Sequence, residues 1–173
     1  MSSLLGFNAD QPVTGIVAAA SIAASLALRA VRVVLETTAH KQSWERLGEL
    51  IHKAGSESER LVHLAREDGV VYAAYLQARR ERSPEVQAAL RRAIATPLAA
   101  ARSAASGIDL CGEALGFTSG AIAADVRGAS ALLAGAVRAI LCSVDENLRG
   151  VENEAYAREV REDSERLRAR VEG

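Results

Sequence analysis

Apolar and polar residues recur every three to four positions along most of this chain, and no segment alternates with the period of two that a strand would show. This pattern predicts an all-α fold, a bundle of four to five main helices. A single domain is expected over residues 1–173, with an N-terminal arm at 1–11 and a charged C-terminal helix within 151–173. The first predicted helix covers Thr14–Thr38, and a second helical region follows the polar joint His40–Ser43 and reaches Glu81. The remaining predicted helices cover Pro84–Leu115, Gly120–Asn147 and Asn153–Val171.

Capping and helix-breaking residues set the expected boundaries. Ser83 is placed to cap the third helix, with Pro84 at its first position. Pro97 predicts a kink inside that helix, because proline lacks the amide hydrogen that the helix needs. Gly55 predicts a break in the second helical region, since Ser56–Glu59 has the form of a capping box.

Small side chains recur at a spacing of four residues on the first and fourth predicted helices. Such ridges let another helix approach closely, so a homodimer is expected. The last helix carries only sparse apolar residues, which predicts that it packs loosely or against a partner subunit. The ridges are Gly15, Ala19, Ala23, Ala27 and Gly120, Ala124, Gly128, and the sparse apolar residues are Tyr156, Val160, Leu167 and Val171.

Composition narrows the class of protein. The 173 residues are 49% hydrophobic and 25% charged with a net charge of −1, which is typical of a soluble globular protein and gives no basic surplus for nucleic acid. The apolar run Val13–Leu28 is shorter than the roughly 20 residues that span a membrane, and is expected to be a fully buried helix. Because Met1–Asp10 contains no basic residue, no secretory signal is expected. The two isolated cysteines favour a cytoplasmic location. Cys111 and Cys142 lack a motif and are interpreted as small buried hydrophobes.

Two aspartates interrupt stripes of apolar or small residues. Asp68 follows leucines and precedes Tyr72 and Tyr75 at helical spacing, and Asp125 lies in the Ala/Gly-rich run Gly120–Ala139. Both are therefore expected to face the packed side of a helix. A carboxylate there is costly unless it is paired, hydrogen-bonded or protonated, so each is either a site residue or half of a structural ion pair. Asp125, just after a Gly-containing loop, is the stronger candidate for a site.

The order of several short motifs resembles the cyclodeaminase/cyclohydrolase family, which comprises the C-terminal domain of formimidoyltransferase-cyclodeaminase and stand-alone methenyltetrahydrofolate cyclohydrolases. Pro12-Val-Thr-Gly-Ile-Val-Ala-Ala19 is similar to the family's Pro-Gly-Gly-Gly-Ser-Val-Ala-Ala. Arg60-Leu-x5-Glu67-Asp68-x3-Tyr72 is similar to its Arg-x-Leu…Asp-x-x-Ala-Tyr segment, and Arg92-x4-Pro97-Leu98 follows in place. Asp125 takes the place of the aspartate in the family's Ser-Asp, and Ser143-Val-x-x-Asn147 resembles Asn-Val-x-x-Asn.

The resemblance implies an all-helical homodimeric enzyme, a hydrolase or lyase of one-carbon metabolism. Its members either expel ammonia from formiminotetrahydrofolate to close the methenyl ring or add water to that ring. Positioned acids and bases suffice for both reactions, so neither a metal nor a cofactor is expected, in keeping with the lack of metal-ligand spacing among the three histidines. Asp125 is then expected to handle protons, with Asp68 and Tyr72 orienting or relaying them. The implied substrate-binding residues are Pro12, Thr14, Gly15, Arg60, Ser143 and Asn147.

Several departures from the family pattern leave other functions open. Val13 and Thr14 replace two loop glycines, and Ile16 replaces the loop serine. A β-branched pair does not readily adopt the positive φ angles that glycine permits, so folate specificity is the property most affected. One alternative is a diverged homologue that forms or opens a cyclic C–N bond in a non-folate substrate of specialised metabolism. Another is a non-catalytic helical assembly protein.

The spacing of Asp125 and Asn147 constrains the site independently. On one straight helix they are about 33 Å apart at 1.5 Å rise per residue, so they cannot share a pocket within one chain. Either the helix breaks, or the two residues serve different places, or an antiparallel partner brings its Asn147 near Asp125.

Overall fold

The computed structural model describes residues 15–39 and 45–172, and this part of the chain contains five α-helices and no strand. The all-α prediction is therefore confirmed. In chain order the helices are α1 (Ile16–Ala39), α2 (Glu45–Arg80), α3 (Val86–Leu115), α4 (Gly120–Leu148) and α5 (Glu154–Glu172). The predicted N-terminal arm and most of the joint between the first two helices lie outside the described residues.

The first four helices pack as a four-cornered bundle. α1 lies between α2 and α4, α3 lies diagonally opposite α1, and α5 packs on α3 and α4. Leucine and alanine side chains form most of the core. Glycine makes room for larger side chains of neighbouring helices: a Cβ on Gly107 of α3 would lie 3.0 Å from Leu28 and 3.1 Å from Leu133. Few aromatic rings are needed because the backbones themselves fill the space.

Helix α2 is continuous from Glu45 to Arg80, so the predicted break at Gly55 is wrong. The glycine has a packing role instead, because a Cβ there would lie 3.4 Å from the guanidinium of Arg32 on α1. The side chains of the supposed capping box are thus interior helical positions. One of them, Ser58, has its Oγ 2.9 Å from the Oγ of Ser25 on α1.

Helix α3 begins at Val86, two residues later than predicted, and runs through Pro97 to Leu115. Ser83 still acts at this turn, since its Oγ accepts a hydrogen bond of 3.1 Å from the backbone N–H of Glu85. The predicted kink at Pro97 stays a prediction.

Helix α5 contributes Ala157, Val160 and Leu167 to the core of its own chain, so the predicted loose packing is wrong. Its packing against a partner subunit stays a prediction. Its buried residues recur at heptad-like spacing, and two of them, Ala157 and Ser164, are too small or polar to have been recognised as anchors. Ion pairs also attach α5 to its neighbours: the guanidinium of Arg102 on α3 lies 2.6 Å from the Asp163 carboxylate on α5.

Helices α1 and α4 each have the length and apolar composition that would suffice to cross a membrane. In the bundle, 50% of the apolar window of α1 and 39% of that of α4 are buried. The expectation of a fully buried first helix is thus wrong, because one side of α1 lies on the surface. Exposed apolar residues on this side include Leu26 and Val33.

Candidate functional site

A cleft of about 240 Å³ opens between the start of α1, the middle of α2 and the end of α4. It joins segments that are far apart in sequence but were singled out by the motifs. Five of the predicted site residues meet there. The lining residues are Gly15, Ile16, Val17, Asp68, Tyr72, Ser143, Glu146 and Asn147.

Asp68 is the buried acid of this cleft, as its position in an apolar stripe predicts. The residue is only 8% exposed. Burial raises the pKa of its carboxyl from 3.8 to about 6, because the charged form loses hydration there. Among residues 15–39 and 45–172, no hydrogen bond or ion pair compensates this carboxyl. The structural ion pair considered for Asp68 is therefore absent from the described chain.

Tyr72 forms an amphipathic wall one turn further along α2. Its side chain is 43% exposed and lines the cleft, so the phenol is accessible to a ligand. The ring of Tyr75 lies beside it, with 6.1 Å between ring centroids. The two rings are inclined at 48°, so Tyr75 supports the Tyr72 ring from the side while Tyr72 alone of the pair lines the cleft.

The opposite wall comes from the last turns of α4. Ser143, Glu146 and Asn147 share one face because they follow the i, i+3, i+4 spacing. The side-chain Nδ2 of Asn147 donates a hydrogen bond of 3.1 Å to the backbone carbonyl of Ala93 on α3. Sequence reasoning did not assign Glu146 to the site; its side chain is 67% exposed, and a carboxylate oxygen lies 2.7 Å from the guanidinium of Arg149. Its helical spacing from Ser143 and Asn147 is the signal that could have found it.

Gly15 closes the cleft at the start of α1. Its φ of +107° lies in the region that favours glycine, so the one glycine retained in the family's loop motif occupies the position that needs it. The predicted site residues Pro12 and Thr14 lie outside the described residues.

Asp125 lies on the surface, and the expectation that it faces the packed side is wrong. The buried positions of this part of α4 are Ala123, Val126 and Ala129, which turn Asp125 outward. Since α4 does not break between Asp125 and Asn147, the two residues serve different places within one chain. The proposed catalytic role of Asp125 stays a prediction.

Arg60 is also exposed and does not line the cleft. It precedes Asp68 by eight residues on α2, or about 12 Å along the helix axis. Because Arg60 lies outside the cleft of this chain, its position does not support the predicted role in substrate binding.

Acid–base chemistry is what the cleft residues can perform. In the described ranges 15–39 and 45–172, no three His, Cys, Asp or Glu side chains form a group that could hold a metal ion. The cleft instead offers Asp68, a carboxyl that titrates near neutral pH, beside the hydroxyl of Tyr72 and the amide of Asn147. A group with a pKa near the working pH is the efficient choice for moving a proton in either direction.

Comparison with known proteins identifies the family. The sequence model of formiminotransferase-cyclodeaminase matches residues 4–166. The fold is similar to the crystal structure of formiminotetrahydrofolate cyclodeaminase from Thermotoga maritima, with a TM-score of 0.87 and 21% sequence identity over 94% of this chain and 84% of that one. No curated protein matches the sequence. With nearly its whole length matched by the family model, the chain belongs to the formiminotransferase-cyclodeaminase family.

Proposed function

We propose that this protein is a folate one-carbon enzyme, either a methenyltetrahydrofolate cyclohydrolase or a formimidoyltetrahydrofolate cyclodeaminase. The observation that carries the proposal is the cleft in which Asp68, Tyr72, Ser143 and Asn147 meet at the glycine of the loop motif. Family membership and the fold shared with a formiminotetrahydrofolate cyclodeaminase support the substrate class.

Asp68 is the proposed proton carrier of both reactions. In the cyclohydrolase reaction its carboxylate accepts a proton from water as the water oxygen bonds to the methenyl carbon. The proton then passes to one ring nitrogen, whose bond to that carbon breaks, and the proton of the new hydroxyl group is released to solvent as the formyl C=O forms. In the cyclodeaminase reaction an amine nitrogen bonds to the carbon of the protonated formimino group. Its proton passes to the NH₂ nitrogen, whose bond to that carbon breaks as ammonia leaves. The raised pKa of Asp68, about 6, suits both transfers.

An absorbance assay of methenyltetrahydrofolate tests this proposal with two variants. Asp68→Asn is expected to lose at least about 100-fold in kcat/KM, the usual contribution of a proton-transferring group. Asp109→Asn is the matched control, because this exposed aspartate of α3 pairs with Arg170 and does not line the cleft. The wild-type kcat/KM should rise with pH through about 6, as the carboxylate forms. Full activity in Asp68→Asn would refute the assignment.

We also propose that a second copy of the chain covers the outer faces of α1 and α4. These neighbouring helices carry large apolar side chains at the surface, including Ile16, Leu26 and Val33 on α1 and Leu132 on α4. Glycine and alanine occupy further outer positions of α4, so two copies of this helix could approach closely. In an antiparallel pair, the Asp125 end of one helix would lie beside the Asn147 end of the other.

Light scattering after size-exclusion chromatography tests the dimer. Leu132→Glu should convert it to a monomer, because the leucine is 58% exposed and would carry a charge into the interface. Val70→Glu is the control, since this valine is 69% exposed on α2, outside the two helices concerned. A wild-type monomer, or a dimer that Leu132→Glu leaves intact, would contradict the proposed interface.

Subunit mixing tests whether Asp125 completes the site of the other copy. Asp68→Asn and Asp125→Asn subunits are each expected to be inactive. Mixed dimers would then contain one site with both native aspartates and should recover up to about a quarter of wild-type activity for random pairing. If the mixture stays inactive while Asp125→Asn alone is inactive, Asp125 acts within its own chain.

The replaced loop residues favour one alternative, a diverged enzyme that acts on a cyclic C–N bond outside folate. Val13, Thr14 and Ile16 stand where the family has Gly, Gly and Ser, and Ile16 lines the cleft. If folates neither turn over nor raise the melting temperature, this alternative replaces the folate proposal. The non-catalytic assembly role would follow if no small molecule binds the cleft and Asp68→Asn has no effect beyond stability.

A further inference from the structure

Pro97 lies inside α3, where its missing amide hydrogen has a specific consequence. In an α-helix the N–H of a residue bonds to the carbonyl four positions earlier. Proline at position 97 cannot supply that bond to the carbonyl of Ala93. This carbonyl is instead the acceptor for the side-chain Nδ2 of Asn147, at 3.1 Å. Asn147 therefore takes the place of the hydrogen bond that Pro97 removes.

The hydrogen bond also determines the orientation of the Asn147 side-chain amide, that is, where its NH₂ group and its oxygen lie. A backbone carbonyl only accepts, so the group facing Ala93 must be the NH₂ of the amide. The Oδ1 is on the other branch of the same planar group and has no hydrogen-bond partner among the described residues. Because Asn147 lines the cleft, this oxygen is the atom of its amide that remains to accept a hydrogen bond from an occupant.

We infer that Pro97 is a positioning residue of this site: it frees the Ala93 carbonyl to hold Asn147 with its Oδ1 available to accept from an N–H or O–H donor of the substrate. This inference rests on the proposed function for its ligand but not for its geometry. Asp68 and Asn147 would then present two acceptors to one cleft, which selects substrates whose reacting end carries hydrogen-bond donors.

Hydrogen exchange of the Asn147 side-chain amide tests the geometry without substrate. In wild-type protein, NMR should show this NH₂ protected about five- to tenfold relative to Pro97→Ala, as the loss of one hydrogen bond predicts. Alanine restores the amide hydrogen to position 97 and competes for the Ala93 carbonyl. Pro84→Ala is the control, since it alters a proline in the α2–α3 connection and should leave the Asn147 amide unchanged. If Pro97→Ala does not fold, Pro97→Ser restores the same hydrogen.

A double-mutant cycle on kcat/KM tests the action through Asn147. Pro97→Ala and Asn147→Ala are each expected to lower kcat/KM about tenfold, and the double variant should lose no more than Asn147→Ala alone. An unprotected amide in wild-type protein, or equal protection in Pro97→Ala, would overturn the inference whatever the activity. Additive losses in the cycle would overturn it as well. Lack of turnover by the wild-type protein would instead count against the folate proposal and leave the exchange experiment to decide.

Discussion

Replacing Asp68 by asparagine should make this protein more stable near neutral pH while removing its activity. The residue is 8% exposed, and none of the described residues pairs with its carboxyl. The rise of its pKa from 3.8 to about 6 means that the folded protein destabilises the ionised carboxylate by about 3 kcal/mol relative to water. Solvent in the cleft reduces that cost, so we expect Asp68→Asn to raise the free energy of unfolding by between about 1 and 2 kcal/mol at pH 7.5.

The pH dependence gives the sharper test. The folded-state pKa of Asp68 lies above that of the unfolded chain, so the folded protein holds the extra proton between about pH 4 and 6. Wild-type stability therefore falls, relative to Asp68→Asn, as the pH rises through this window. Below about pH 4 the carboxyl is protonated in both states and the two proteins should differ little. Above pH 6 it is ionised in both states and the difference should be constant.

Urea denaturation at a series of pH values from 4 to 8 measures this difference. Glu67→Gln is the matched control, because it neutralises the neighbouring, 43% exposed carboxylate on the same helix and should change stability by no more than about 0.5 kcal/mol. A difference between wild type and Asp68→Asn that does not change between pH 4 and 6 would refute the reasoning. So would a variant less stable than wild type at pH 7.5, since Asp68 would then have a stabilising partner.

Two further predictions concern packing. Gly107→Ala should destabilise the protein by about 1 kcal/mol, because overpacking against Leu28 and Leu133 outweighs the better helix propensity of alanine. Gly112→Ala, in open space on the same helix, should instead stabilise it by about 0.5 to 1 kcal/mol. Equal effects of the two substitutions in urea titrations would contradict the close approach at Gly107. Asp163→Asn should cost about 1 kcal/mol in thermal unfolding, because it breaks the half-buried attachment of α5 to α3. An unchanged stability would mean that this ion pair adds nothing to the apolar contacts and to the Asp109–Arg170 pair that also hold α5.

The sequence located Asp68 correctly and Asp125 incorrectly, and the chemistry of their neighbours explains why. Asp68 lies in a stripe that contains Leu61 and Leu64, and large aliphatic residues at helical spacing mark a buried face. The neighbours of Asp125 are alanine and glycine, which occur on both faces of α4: Ala123 is buried and Ala124 is exposed. Small residues carry too little apolar area to distinguish the two faces.

Long-range contacts set the other limits of prediction. From the local sequence alone, Gly55 predicts a helix break. Only the packing of Arg32 against it shows why a glycine fits inside α2. The sequence likewise predicted a disturbance at Pro97 but could not show that Asn147, 50 residues later, would bond to the affected carbonyl. Helix content and order follow from local periodicity, whereas these features depend on which helices become neighbours.

The features that oppose stability in this bundle converge on one cleft. A buried carboxyl without a partner among the described residues and a proline inside a helix each have a cost, and each lies at or acts on the wall around Asp68 and Asn147. A purely structural bundle would gain by losing them, so their combination argues for a site whose chemistry needs them. It follows that substitutions relieving these costs should stabilise the fold independently of one another. Their effects on activity should instead fail to add, because all of them act on the same cleft.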